Sequence, residues 1–212
     1  MKDLIIFGES YSTYEGHIPA GYAVYYSGHR ESPPDVSSVD KTWWHLLARE
    51  TGANIVQNNS WSGSTIGFTG YNNSDNSHGN SFIYRFEKLW DEGFFEKNDI
   101  DTVLVFGGTN DSWSNAPLGE LKYDVDDRAE LYNVLPAIAY FAKILKERLP
   151  KADIRFIVNT EIKSEITEGM KEVCEHYGLK TIALANIDKV NGHPTELGME
   201  QIKDQVKAAL KL

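Results

Sequence analysis

The sequence predicts an α/β fold: a three-layer α/β/α sandwich on a flavodoxin-like parallel sheet of about five strands. Two observations carry this. Short β-rich apolar runs alternate with stretches of helical apolar spacing along the whole chain. The runs also lack the in–out alternation of a half-exposed strand, so each fits a strand covered on both faces. Strands joined by right-handed crossovers then lie parallel, with helices on either side.

The elements follow in order. Strands are expected over residues 4–7, 54–56, 102–106, 154–158 and 181–183. After Asp40, Trp43, Leu46 and Leu47 begin the first helix, and Phe82, Phe86 and Leu89 mark the second. Leu131, Leu135, Ile138, Ala142 and Leu145 form a third, with Pro136 expected to kink it near its first turns. Ile166, Met170, Val173 and Tyr177 give a fourth, ended by Gly178, and Met199, Ile202, Val206 and Leu210 the last. Two long polar loops, residues 9–39 and 58–80, follow strands, which is where open α/β sheets build their binding sites.

Composition narrows the function classes. The 212 residues, 41% hydrophobic and 25% charged, suit a single domain over residues 1–212 with one sizeable core. A formal net charge of −10 without a lysine–arginine cluster argues against nucleic acid as a partner. No apolar run approaches the roughly 18–20 residues needed to span a bilayer, so no membrane partner is expected. Met1-Lys2-Asp3 leads straight into the first strand without a signal-peptide pattern, from which a cytoplasmic location is expected. The lone Cys174 reads as a small buried hydrophobe. His17, His29, His45, His78 and His176 show no metal-ligand spacing, and neither a metal nor a cofactor is implied. Oligomeric state is not legible.

Four segments, each after a strand, carry the chemistry. "FGES" places Ser10 at the tip of the first strand, behind a glycine that permits a sharp turn and a close approach. "NNSWSGSTIG" holds Gly63, "VFGGTNDSW" holds Asn110, and "DKVNGHPTELG" holds His193 just before the last helix. Taken singly, each has a mundane reading as a cap, turn or Asx residue. Together, in this order, they resemble the blocks of the SGNH hydrolases, the GDSL esterase and lipase family. The resemblance runs from residue 3 to the final helix.

The resemblance implies a serine esterase. Ser10 would be the nucleophile and His193 its general base, because a serine hydroxyl needs a base in hydrogen-bond reach to attack a carbonyl. The backbone N–H groups of Ser10 and Gly63 and the side-chain amide of Asn110 would receive the oxyanion. Two departures stand out. The first block usually reads Gly-Asp-Ser, but here Glu9 takes the middle place, and a shifted supporting hydrogen bond is expected. The acid three residues before the histidine is replaced by Val190. Asp188, five before His193, is the nearest upstream carboxylate, and Asn191-Gly192 is a turn signal that would absorb the extra residues. Asp188 is therefore expected to orient the ring, with a backbone carbonyl as the other way to hold it.

The loops carry Tyr11, Tyr14, Tyr22, Tyr25, Tyr26, Trp61, Tyr71 and Trp113. Flat rings beside hydroxyls and amides suit stacking on sugars, so Tyr11, Trp61 and Trp113 are candidate substrate contacts. The expected substrate is a small-molecule or carbohydrate ester, with acetyl the leading acyl group. A non-catalytic carbohydrate-binding or sensing domain of the same fold stays open. A nucleotide- or phosphate-binding protein is disfavoured, since neither G-x-x-x-x-G-K-[ST] nor G-x-G-x-x-G occurs.

Overall fold

A computed structural model describes residues 2–29 and 36–211. Part of the long loop after the first strand therefore lies outside the described residues.

Five parallel strands form one sheet in the order β2-β1-β3-β4-β5: β1 (Asp3–Gly8), β2 (Asn54–Ser60), β3 (Thr102–Phe106), β4 (Asp153–Val158) and β5 (Lys180–Ala183). Because successive strand residues point to opposite faces, each buried strand feeds two cores. Ile5, Phe7, Val103, Val105 and Phe156 pack with α2 (Phe82–Asp91), α5 (Val134–Arg148) and α6 (Ser164–His176). Leu4, Ile6, Leu104, Phe106 and Ile182 face α1 (Trp43–Thr51) and α7 (Glu196–Leu210). This is the predicted three-layer arrangement. Cys174 is buried in the first of these cores. None of the described helices is long and apolar enough to cross a membrane.

Two differences from the expected elements have physical causes. Strand β2 runs on to Ser60, four residues past the apolar run, because its polar end is paired inside the protein. Asn58 Nδ2 donates to the Ser12 carbonyl at 2.7 Å, Ser60 Oγ to Asn58 Oδ1 at 2.6 Å, and the Arg85 guanidinium to Asn59 Oδ1 at 2.7 Å. Pro136 does not kink a helix interior, since α5 starts at Val134 and Pro136 occupies its first turn, where no intrahelical N–H bond is required. The break falls earlier, at the extended Asn133, and Leu131 belongs to a separate 3-10 turn, Arg128–Tyr132. Short helices α3 (Phe94–Lys97) and α4 (Thr109–Trp113) were not expected. A two-stranded hairpin, β6 (Lys189–Val190) with β7 (His193–Pro194), precedes α7.

Candidate active site

The four loops that follow β1, β2, β3 and β5 meet at the carboxyl edge of the sheet. Ser10 opens a 3-10 turn, Ser10–Ser12, after extended Glu9, and is 3% exposed. Gly8 permits this crowding: a Cβ there would lie 2.4 Å from Ser60 Oγ and 2.8 Å from Ser12 Cβ. The β2 loop closes on the same strand tip, with Trp61 N–H on the Gly8 carbonyl at 3.1 Å. It turns through Gly63 at φ +81°, and Ser64 N–H returns to the Trp61 carbonyl at 3.2 Å. Among the described residues, the N–H groups of Ser10 and Gly63 have no hydrogen-bond acceptor.

His193 Nε2 lies 3.1 Å from Ser10 Oγ across 183 positions of sequence. The ring is set by the hairpin that carries it. Asn191 and Gly192 both have positive φ, +51° and +76°, the two-residue turn that suits a twisted antiparallel pair. His193 Nδ1 meets the Asn191 carbonyl at 3.2 Å. Tyr25 stacks flat on the imidazole, with centroids 3.6 Å apart and planes 5° apart, while Trp113 approaches edge-on at 5.4 Å. Two tyrosines buried beneath the hairpin grip its carbonyls, Tyr11 on Gly192 and Tyr26 on Pro194, the latter at 2.8 Å. Lys189 ties its outer end to the β4 loop, donating to Thr160 Oγ1 at 2.7 Å and Asn159 Oδ1 at 3.2 Å.

Asn110 is held from both ends of its amide. Nδ2 donates to Glu9 Oε2 at 2.9 Å and to the Ser64 carbonyl at 2.9 Å, and Oδ1 accepts from the Tyr71 hydroxyl at 2.8 Å. Glu9 is the extra-methylene residue of the first block, and its length lets it also accept the backbone N–H groups of Thr109 at 3.1 Å and Asn110 at 3.2 Å. Burial pushes the Glu9 carboxyl up to about 8, with nearby Asp111 adding to the rise. Asp111 is itself raised to about 6 by burial, against the lowering effect of Ile66 and Gly67 N–H bonds. The buried Arg85 guanidinium reaches Gly8 O and Ser64 Oγ, both at 3.2 Å, and so braces the strand tip and the Gly63 loop together.

Two predicted contacts are corrected. Asp188 does not orient the imidazole, because hairpin register sends it elsewhere. Val190 pairs with His193 and Lys189 with Pro194, so Asp188 falls opposite Thr195. There it accepts the Thr195 hydroxyl through Oδ2 and the Thr195 N–H through its carbonyl at 3.1 Å, at the N-cap of α7. Tyr11 is fully buried with its hydroxyl committed to the hairpin, so it supports His193 rather than facing a ligand. Trp61 stacks on Tyr22 with centroids 4.2 Å apart, and Trp113 is 40% exposed beside the imidazole. The site roles of Tyr25, Tyr71 and Lys189 were missed. Both tyrosines belong to the aromatic loops, but nothing local marks one as a lid on an imidazole and the other as an amide partner.

A hydroxyl aimed at an imidazole, with unpaired N–H groups nearby, is the apparatus of acyl transfer. The family model for GDSL-like Lipase/Acylhydrolase matches residues 2–210. The chain belongs to this family.

Two solved structures of GDSL-like lipases resemble this family member over its whole length. One, from Bacteroides uniformis, is 42% identical with a TM-score of 0.91, covering 100% of this chain and 96% of that one. The other, from Bacteroides ovatus, is 39% identical with a TM-score of 0.91, covering 100% and 98%. The fold also matches an acetyl xylan esterase, Est2A of Butyrivibrio proteoclasticus, at 19% identity and a TM-score of 0.64, covering 99% of this chain and 63% of that one. No curated protein matches in sequence. As a GDSL/SGNH hydrolase, the protein is an ester-hydrolysing enzyme. Among its described residues, no group of three or more His, Cys, Asp and Glu side chains forms a metal site.

Proposed function

We propose that the protein is a serine esterase that removes a small acyl group, acetyl foremost, from a carbohydrate. The 3.1 Å approach of His193 Nε2 to Ser10 Oγ carries this reading. In the first half-reaction Oγ bonds to the ester carbon as its proton passes to Nε2, and the carbonyl electron pair becomes an oxyanion. The N–H groups of Ser10 and Gly63 receive that charge together with one amide N–H of Asn110, released from the Ser64 carbonyl. An N–H bond to an anion is about twice as strong as one to a neutral acceptor, so the exchange favours the transition state over the bound ester. Collapse of the intermediate breaks the bond to the alcohol, which leaves with the proton from Nε2. A water then attacks the acyl-enzyme with His193 again as base, releasing the carboxylic acid and restoring Ser10.

The Asn191 carbonyl accepts Nδ1–H and so fixes the tautomer that leaves Nε2 basic. Tyr25, flat against the ring, adds a π-face to the imidazolium that forms at each proton transfer. The exposed faces of Trp113 and Tyr71, 40% and 39% accessible, flank this apparatus and suit a sugar ring. The acetyl xylan esterase of the same fold supports that choice of substrate class.

The test is a panel of p-nitrophenyl acetate, butyrate and octanoate beside acetylated xylo-oligosaccharides. The expected result is release of acetate from the sugars, a preference for the acetyl aryl ester, and loss of both in Ser10→Ala. Preference for the octanoate would reject the small acyl group, and an intact panel would favour a binding domain instead.

A further inference from the structure

Asn110 poses a physical problem within the proposed reaction. Both N–H groups of its amide are already donated, to Glu9 and to the Ser64 carbonyl, so serving the oxyanion means giving one of those bonds up. An amide that loses half of its anchorage at the moment of reaction will swing unless something holds its other end. The Tyr71 hydroxyl, 2.8 Å from Oδ1, is that hold.

The loop around Tyr71 is built to a fixed shape. Asn72 and Asn73 adopt left-handed backbone, φ +54° and +56°, a region asparagine tolerates better than most residues. Gly70 N–H meets the Ser74 carbonyl at 2.8 Å and Ser74 N–H the Tyr71 carbonyl at 3.0 Å, closing a tight ring of backbone. The Asn76 side chain bonds Thr65 Oγ1 at 3.0 Å and fastens the loop to the β2 connection. Tyr71 thus has a 39% exposed ring at the surface and a hydroxyl on an amide that is 3% exposed. Partial burial, with the charges of Glu9 and Asp111, raises the phenol to about 12, so it remains a donor throughout the working range of a histidine base.

We propose that Tyr71 is a positioning residue that acts through Asn110, anchoring and polarising the amide carbonyl so that its N–H edge stays aimed while one N–H passes to the oxyanion. A donor on the amide oxygen also strengthens the N–H groups of the same amide as donors. The inference rests on the esterase reading and adds to it a residue outside the four segments that carry the family resemblance.

A double-mutant cycle on p-nitrophenyl acetate tests it. Tyr71→Phe keeps the ring and removes one neutral hydrogen bond, so kcat is expected to fall about three- to tenfold with KM within twofold and Tm lowered by no more than about 4 °C. Asn110→Ala is expected to lose about 10²- to 10³-fold in kcat. The double variant should be no slower than Asn110→Ala alone, since Tyr71 has nothing left to act through. Multiplying losses in the double variant would overturn the inference, as would an unchanged kcat in Tyr71→Phe or an effect confined to KM. Ser10→Ala, run beside the cycle, separates the two claims: if it is inactive while the cycle shows independent effects, the esterase reading stands and the role of Tyr71 falls.

Discussion

Glu9 differs from a surface glutamate in having no water to share. Its carboxyl is fully buried next to Ser10, accepts three N–H bonds from Thr109 and Asn110, and lies near a second buried acid, Asp111. Desolvation penalises the charged form more than those donors favour it, so the folded chain keeps its proton up to about pH 8 while the unfolded chain loses it near 4.5. Across that window the unfolded state binds fewer protons than the folded one, and stability falls as pH rises. Asp111 acts in the same direction but is spent by about pH 6. Thermal unfolding should therefore show a falling Tm between pH 6 and 8 in the wild type and a flatter profile in Glu9→Gln. An equal decline in both would mean that Glu9 is ionised throughout. The sequence pointed to Glu9 as an exception to the family block, and its carboxyl accepts a hydrogen bond from Asn110 Nδ2. What it could not give is the commitment of the Asn110 amide to Glu9, Ser64 and Tyr71, because that depends on where three separate loops come to rest.

The β6–β7 hairpin is the element that carries the imidazole. Its turn was legible in the sequence, since Asn-Gly is the dipeptide that a two-residue turn with two positive φ values selects. The register that follows from that turn was not foreseen, and it is what separates Asp188 from the ring: five residues of chain become a cross-strand pairing with Thr195. Asp188→Asn keeps an acceptor for the Thr195 hydroxyl and leaves the Asn191 carbonyl in place. Its kcat on p-nitrophenyl acetate should stay within about threefold of wild type, with at most a capping-sized loss of about 1 kcal/mol in stability. A drop near the 10⁴-fold scale seen when a triad acid is neutralised would return Asp188 to the imidazole. Polar strand ends were hard to read for a related reason. Asn58 and Asn59 look like loop residues until the Ser10–Ser12 turn and Arg85 supply their partners.

At the scale of the molecule, the alternating pattern of short apolar strands and amphipathic helices was enough to call the sheet, its two covered faces and the edge where the site would lie. That legibility has a physical basis, because burial on both faces demands continuous apolar strands and fixes where the crossovers run. Local sequence also singled out Ser10, Gly63, Asn110 and His193, since each lies in a segment that follows a strand of the central sheet. Support was less visible. Tyr11, Tyr26 and Tyr25 hold the hairpin from elements far away in the chain, and Lys189 within it reaches out to Thr160. The central claim is that Ser10 is a nucleophile activated by His193, and a fluorophosphonate reports on it without any assumption about substrate. Intact-mass and peptide mass spectrometry should find one phosphonyl adduct, on Ser10, absent in Ser10→Ala and formed far more slowly in His193→Ala. An unlabelled wild type, or an adduct on another residue, would contradict the account.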